Sequence, residues 1–317
     1  MTCSFAWDEA ELPAWGTAPR AGFWLALEQN GPWGGKAFTQ SRLDPTVGRA
    51  IEETALAAGG RALLIRRPAS HADHADHPLR RVYVAGGLDA EPWLLGGLVE
   101  DPEQLLDLPF DALQAAGPDG LIARFSWLDR HAGGLLLVCA NAKRDLCCAL
   151  RGRPIALDLE RQRPGQVWEC THTGGHRFAP TGIVLPAGQA LARLTPELAF
   201  AALRAADEGQ LAAETFGSWH DRGRGHLSPA CAVAEARVRQ LIGETVPSAL
   251  DARELVEDTE IEVRHRDGRR WCVHTALQDH PELLPESCAK AAVTARSWRV
   301  EVSEPSAETA PSARAGT

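Results

Sequence analysis

The sequence predicts an α/β fold of two tandem halves with the same element order, followed by a small α+β extension. Three observations carry this. Short apolar runs bounded by Gly and Pro recur along the chain, as strands do. A helical stretch follows the first run of each set, with Asp44 as an N-cap signal in the first half. The resulting order, β–α–β–β–β–α, occurs twice, over about residues 1–120 and 130–215. That order suits a thioredoxin-like sheet, a βαβ unit followed by a hairpin and a covering helix. One continuous α/β domain without duplication is the plainer alternative, since few residues match between the halves.

In the first half the strands are expected at 21–28, 61–67, 80–86 and 91–99. A helix fits 44–58, with Asp44 as N-cap, Pro45 at the first helical position and Gly59–Gly60 as the stop. A second helix is expected from Asp101, and 107–132 then joins the halves. The second half offers a strand at 133–140 and a stretch helical in part at 144–162, which Gly152 and Pro154 should break or bend. A strand at 166–172, a hairpin around Pro186–Gly188 and a helix from Thr195 complete it. Residues 216–303 form the extension. It holds an amphipathic helix at 228–243, a hairpin at 261–275 turning on Asp267–Gly268, and a strand at 297–302. The tail, 304–317, is rich in Ser, Pro, Ala and Glu and reads as disordered.

The chain has 317 residues and a net charge of -9, which argues against nucleic acid and anionic membranes as partners. No apolar run approaches the ~20 residues that span a bilayer. The start carries acidic residues and no basic segment followed by an apolar one, so a cytoplasmic protein is expected. There are eight cysteines. In a reducing compartment, clustered cysteines bind metal or do redox chemistry more often than they form disulfides.

Four of the eight fall between 139 and 170. Cys139 ends a strand, and Cys148 begins a helix nine residues later. His172 and His176 follow the next long strand, in WECTHTGGHRF. Adjacent parallel strands of a βαβ unit bring their C-terminal ends to one edge, so these four residues share a neighbourhood. Two thiolates and two imidazoles suit a zinc ion or a two-iron cluster, and the spacing alone does not choose. Gly174 and Gly175 would let the backbone approach a bulky group. The plain alternative is buried cysteines beside a histidine-bearing loop.

The stretches VCANAKRDLCCALRGRPIA and VWECTHTGGHRFAPTGIVLPAG resemble the sucrase/ferredoxin-like family, whose motif is Cys-x8-Cys followed by His-x-Gly-Gly-His. GTAPRAGFWLALEQNGPWGG and LLIRRP extend the resemblance to most of the chain, as far as about residue 235. It implies a thioredoxin-like ferredoxin carrying one [2Fe–2S] cluster on Cys139, Cys148, His172 and His176. Cys147 stands beside Cys148 as an alternative ligand. Adjacent helical side chains point about 100° apart, so one of the two should reach the cluster. The resemblance further implies one-electron transfer with an unknown redox partner protein, rather than a stand-alone enzyme. Imidazoles in place of thiolates raise the potential and can couple a proton to the electron. The rivals are a structural Cys2His2 zinc protein and a thiol-disulfide oxidoreductase using Cys147–Cys148.

Other clusters weigh less. His71, His74 and His77 read as a solvated loop. GPWGG lacks the Gly-Lys-Ser/Thr ending of a phosphate loop. His220, Arg222, Arg224 and His226 in WHDRGRGHLSP read as a solvated loop, with anion binding, support of the metal site or partner docking as alternatives. Cys170 is expected to pack in the core.

Overall fold

The computed structural model describes residues 3–69, 78–288 and 290–303. The His71, His74 and His77 stretch and the tail from residue 304 lie outside the described residues. Helix α1 (Cys3–Glu9) precedes β1 (Trp24–Glu28), α2 (Ala37–Gln40), α3 (Pro45–Ala57), β2 (Arg61–Arg66), β3 (Arg80–Gly86) and β4 (Trp93–Val99). The Asp44 carboxylate caps α3, accepting the Thr46 and Val47 amides at 2.8 and 3.1 Å. The helix expected from Asp101 is a 3₁₀ segment, Pro102–Asp107. The joining segment is more structured than expected, with α4 (Pro118–Arg124) and the edge strand β5 (Leu128–Arg130).

The second half runs β6 (Leu135–Cys139), α5 (Leu146–Gln162), β7 (Val167–Cys170), β8 (Gly182–Leu185), β9 (Gln189–Leu191) and α6 (Pro196–Asp207). α5 continues through Gly152 and Pro154 rather than breaking there. Pro154 is exposed, so the Leu150 carbonyl it leaves without an amide faces water. Gly152 lies on the sheet side, where a Cβ would sit 2.6 Å from the Cys139 carbonyl oxygen. Glycine there lets the helix approach the end of β6.

The strands order as β10-β9-β8-β6-β7-β2-β1-β3-β4-β5 in one mixed sheet, with β10 (Asp221–Arg224) at one edge. Both halves share one pattern. β1 is parallel to β2 and antiparallel to β3, as β6 is to β7 and β8. The halves meet where β2 pairs antiparallel with β7, Ile65 opposite Cys170 and Arg66 opposite Glu169. Glu169 is buried and accepts from Arg66 at 2.9 and 2.7 Å and from Arg153 at 3.1 Å. Strand alternation separates two sides of the sheet. Leu25 and Leu27 pack toward α3, and Leu136 and Val138 toward α5 and α6. Trp24, Ala26, Leu135, Leu137, Trp168 and Cys170 share a cluster that crosses the seam.

The extension contains α7 (Pro229–Ile242) and an antiparallel sheet of β11 (Leu250–Val256), β12 (Glu260–His265), β13 (Arg270–Pro285) and β14 (Ala292–Val302). α7 buries Ala230, Ala234 and Val238 against Ile261, Val263 and Trp271. At the junction with β10, Glu235 accepts from Arg224 at 2.9 Å and from Arg239 at 2.5 Å. Helix α1 is also held by distant segments: Trp7 packs with Phe178 and Leu284. Among the described residues, no helix is long and apolar enough to cross a membrane.

Asp221 is buried beside that junction, and burial raises its carboxyl to a pKa of about 6, with Glu235 adding to the shift. A raised acid favours the fold below its unfolded pKa and loses that contribution as pH rises to the folded value. Asp221→Asn keeps an acceptor for the Gly223 amide (2.8 Å) without the charge. The variant is expected to gain on wild type between about pH 4 and 6 and to stay ahead by on the order of 2 kcal/mol at neutral pH. Urea midpoints across pH measure this; equal midpoints at pH 7.5 would contradict it.

Candidate metal centre

β6 and β7 run parallel and end together, with Cys139 opposite Cys170. The chain then turns through Asn141, whose side-chain amide donates to the Gly34 carbonyl at 3.1 Å. Asp145 caps α5 by accepting the Cys147 amide at 3.2 Å. This geometry turns Cys148 toward Cys139, and both are 1% exposed. Cys148 hydrogen-bonds to Cys139, holding the Cys139 pKa down against burial; His172 and the Thr173 amide add to the effect. The same contact and burial push the Cys148 thiol up.

The His172 and His176 rings lie 5.2 Å apart, centre to centre, at 34°. Both Nδ1 atoms are buried with no hydrogen-bond partner. His176 Nε2 lies 3.6 Å from the Asp145 carboxylate. Burial lowers the His176 pKa, and Asp145 opposes the shift. An unpartnered buried nitrogen costs about 1–3 kcal/mol, which a bond to a metal would offset. The donor types and the two orphaned nitrogens suit a thiolate–imidazole metal group, although the four donor atoms do not all lie within 4.8 Å of one another.

Gly174 and Gly175 have φ of +71° and +64°, the left-handed region. The room they leave was expected to serve a bulky group. At Gly175 it is taken by Arg222 of β10: a Cβ would lie 2.3 Å from Arg222 Nη2. Arg222 donates to the Gly174 carbonyl at 3.1 Å, to Thr17 Oγ1 at 3.1 Å and to the Thr17 carbonyl. Burial pulls its pKa down to about 9, while the neighbouring Cys139 and Cys148 act to raise it. The stretch expected to be a solvated loop thus places a buried cation beside the thiols. It contains no apolar run, so strand periodicity had nothing to register. Gly175→Ala is expected to cost about 2 kcal/mol or more, from the left-handed φ and displacement of Arg222. Thermal unfolding measures it; a neutral effect would show that this packing is dispensable.

Cys147 points the other way on α5. Its Sγ lies 3.3 Å from Cys3 Sγ and 2.8 Å from Cys288 Sγ. Cys3, Asp145, Cys147 and Cys288 offer donor atoms all within 4.8 Å of one another, a group that can hold a metal ion. Sequence reasoning missed Cys3, Asp145 and Cys288 as donors, since neither cysteine stands at motif spacing from the rest. Cys170 packs in the core with Trp168 and Leu137. A cleft of about 240 Å³, lined by Lys36, Arg61, Asn141 and Arg144, opens beside His172.

Residues 15–215 match the model of the family described as sucrase/ferredoxin-like. The match covers both halves and ends before β10, short of the expected limit near residue 235. No curated protein and no solved structure is matched by the chain.

Proposed function

The chain belongs to the sucrase/ferredoxin-like family, and on that premise we propose that it is an electron carrier holding one [2Fe–2S] cluster on Cys139, Cys148, His172 and His176. What supports the reading is that Cys139 interacts with both Cys148 and His172, and that the buried Nδ1 atoms of His172 and His176 have no hydrogen-bond partner. When bound, such a cluster supplies a one-electron couple, shifted upward by imidazole in place of thiolate.

The chain's own residues do the rest. Cys139 and Cys148 anchor the group from the dry side. His176, with its side chain 16% exposed, lies nearer solvent, the side from which a partner protein would exchange electrons. Arg222 sets a fixed positive charge next to the thiolates, favouring the reduced state. In this reading each half of the sheet is a thioredoxin-like unit, the first (about 1–120) without ligands and the second (about 130–215) with them. The thiols call for a reducing compartment such as the cytoplasm.

Anaerobically purified protein is expected to be red-brown, to hold iron and sulfide in equal amounts, and to give a rhombic EPR signal on reduction. Colourless protein with zinc bound through Cys139 would overturn the reading.

A further inference from the structure

Cys3, Cys147 and Cys288 come from three places: helix α1, the first turn of α5, and the turn between β13 and β14. Their sulfurs nevertheless meet, at 2.8, 3.3 and 3.6 Å. Asp145 joins them. One of its carboxylate oxygens accepts from Ser287 Oγ at 2.9 Å and the Cys288 amide at 3.0 Å, and the other lies 3.9 Å from Cys3 Sγ.

Four sulfur ligands 2.3 Å from a tetrahedral zinc would be about 3.8 Å apart. Two of the three sulfur pairs here are within about half an ångström of that, and the third needs about 1 Å of opening. The shortest separation exceeds the ~2.0 Å of a disulfide bond. Thiol-rich tetrahedral sets select zinc over the hard cations calcium and magnesium, which take oxygen.

We propose that Cys3, Cys147 and Cys288, with Asp145 as fourth ligand, form a structural zinc site separate from the Cys139–Cys148–His172–His176 group. Binding releases the three thiol protons, and the Asp145 carboxylate closes the coordination. Arg177, whose charge interacts with Cys3, offsets part of the added negative charge. The site staples α1 and the β13–β14 turn onto the helix that carries Cys148. It also gives the adjacent cysteines of α5 separate tasks, since their side chains leave the helix about 100° apart.

The test uses full-length protein from zinc-supplemented medium, with zinc and iron measured separately. Wild type and Cys139→Ser are both expected to hold one zinc per chain, with iron lost in Cys139→Ser alone. Cys288→Ser and Cys3→Ser are expected to lose zinc affinity at least tenfold while keeping their iron. Cys288 is exposed, so its substitution leaves the core intact. Added zinc should raise the melting temperature of wild type but not of Cys288→Ser. Zinc absorption spectra should show a shell dominated by sulfur. Wild type without zinc, or zinc retained by the Cys3→Ser/Cys288→Ser double variant, overturns the proposal. Zinc lost in Cys139→Ser but kept in Cys288→Ser places the metal in the other group, which overturns this site and the iron reading together.

Discussion

His172→Cys is expected to keep the red-brown colour and lower the midpoint potential by on the order of 150 mV or more. The figure follows from ligand charge. Centres with two histidines lie at about −150 to +300 mV and four-cysteine centres of the plant type near −400 mV, so one exchange is worth roughly half the gap. The substitution is local: His172 is half-buried and adjoins an open cleft, so a smaller side chain removes no core packing. Redox titration of the EPR signal reads the shift. A potential unchanged within error would show that His172 does not bind iron. Total loss of colour would leave the ligand role standing only if His172→Ala also loses its iron while both variants keep the wild-type circular dichroism.

Glu235→Ala is expected to destabilise the protein by about 3–5 kcal/mol, the usual cost of removing one partner from a buried ion pair. Arg224 and Arg239 are 3% and 1% exposed, and both donate to the Glu235 carboxylate. Arg239 would keep the carbonyls of Glu244, Val246 and Pro247, whereas Arg224 would keep only Leu88 among the partners seen. Glu235→Gln should cost less, because its amide oxygen still accepts. Burial works against the charge, but the two arginines outweigh it and hold Glu235 at a pKa of about 2. A depressed acid stabilises above its unfolded pKa and loses that contribution as pH falls through the folded value. Wild type should therefore weaken from about pH 4.5 toward 2 by a component that Glu235→Gln lacks. Urea midpoints for the three proteins decide it; a loss below 1 kcal/mol for Glu235→Ala would refute the account.

Much of the secondary structure was legible because it rests on short-range chemistry. Asp44 before Pro45, Thr195 before Pro196 and Ser228 before Pro229 all mark helix starts, since a cap needs only a side chain and amides two or three residues on. Errors arose where the surroundings decided. Pro154 stays in α5 because its side of the helix meets water, and β10 is a strand of polar residues and glycine because distant partners satisfy its arginines.

By itself the sequence determined most of the strand and helix order, and with it that Cys139 and Cys148 lie at the ends of elements that precede the His172–His176 loop. The βαβ connection brings the C-terminal ends of β6 and β7 to one edge, whatever the rest of the chain does. Only the tertiary structure decided that β2 pairs with β7 to fuse the halves into one sheet, that Arg222 fills the space over Gly175, and that Cys147 faces Cys3 and Cys288 rather than Cys139. Those contacts join residues 47 to 144 positions apart. No local spacing records such a pairing; it follows from which surfaces remain to be buried once the separate elements have formed.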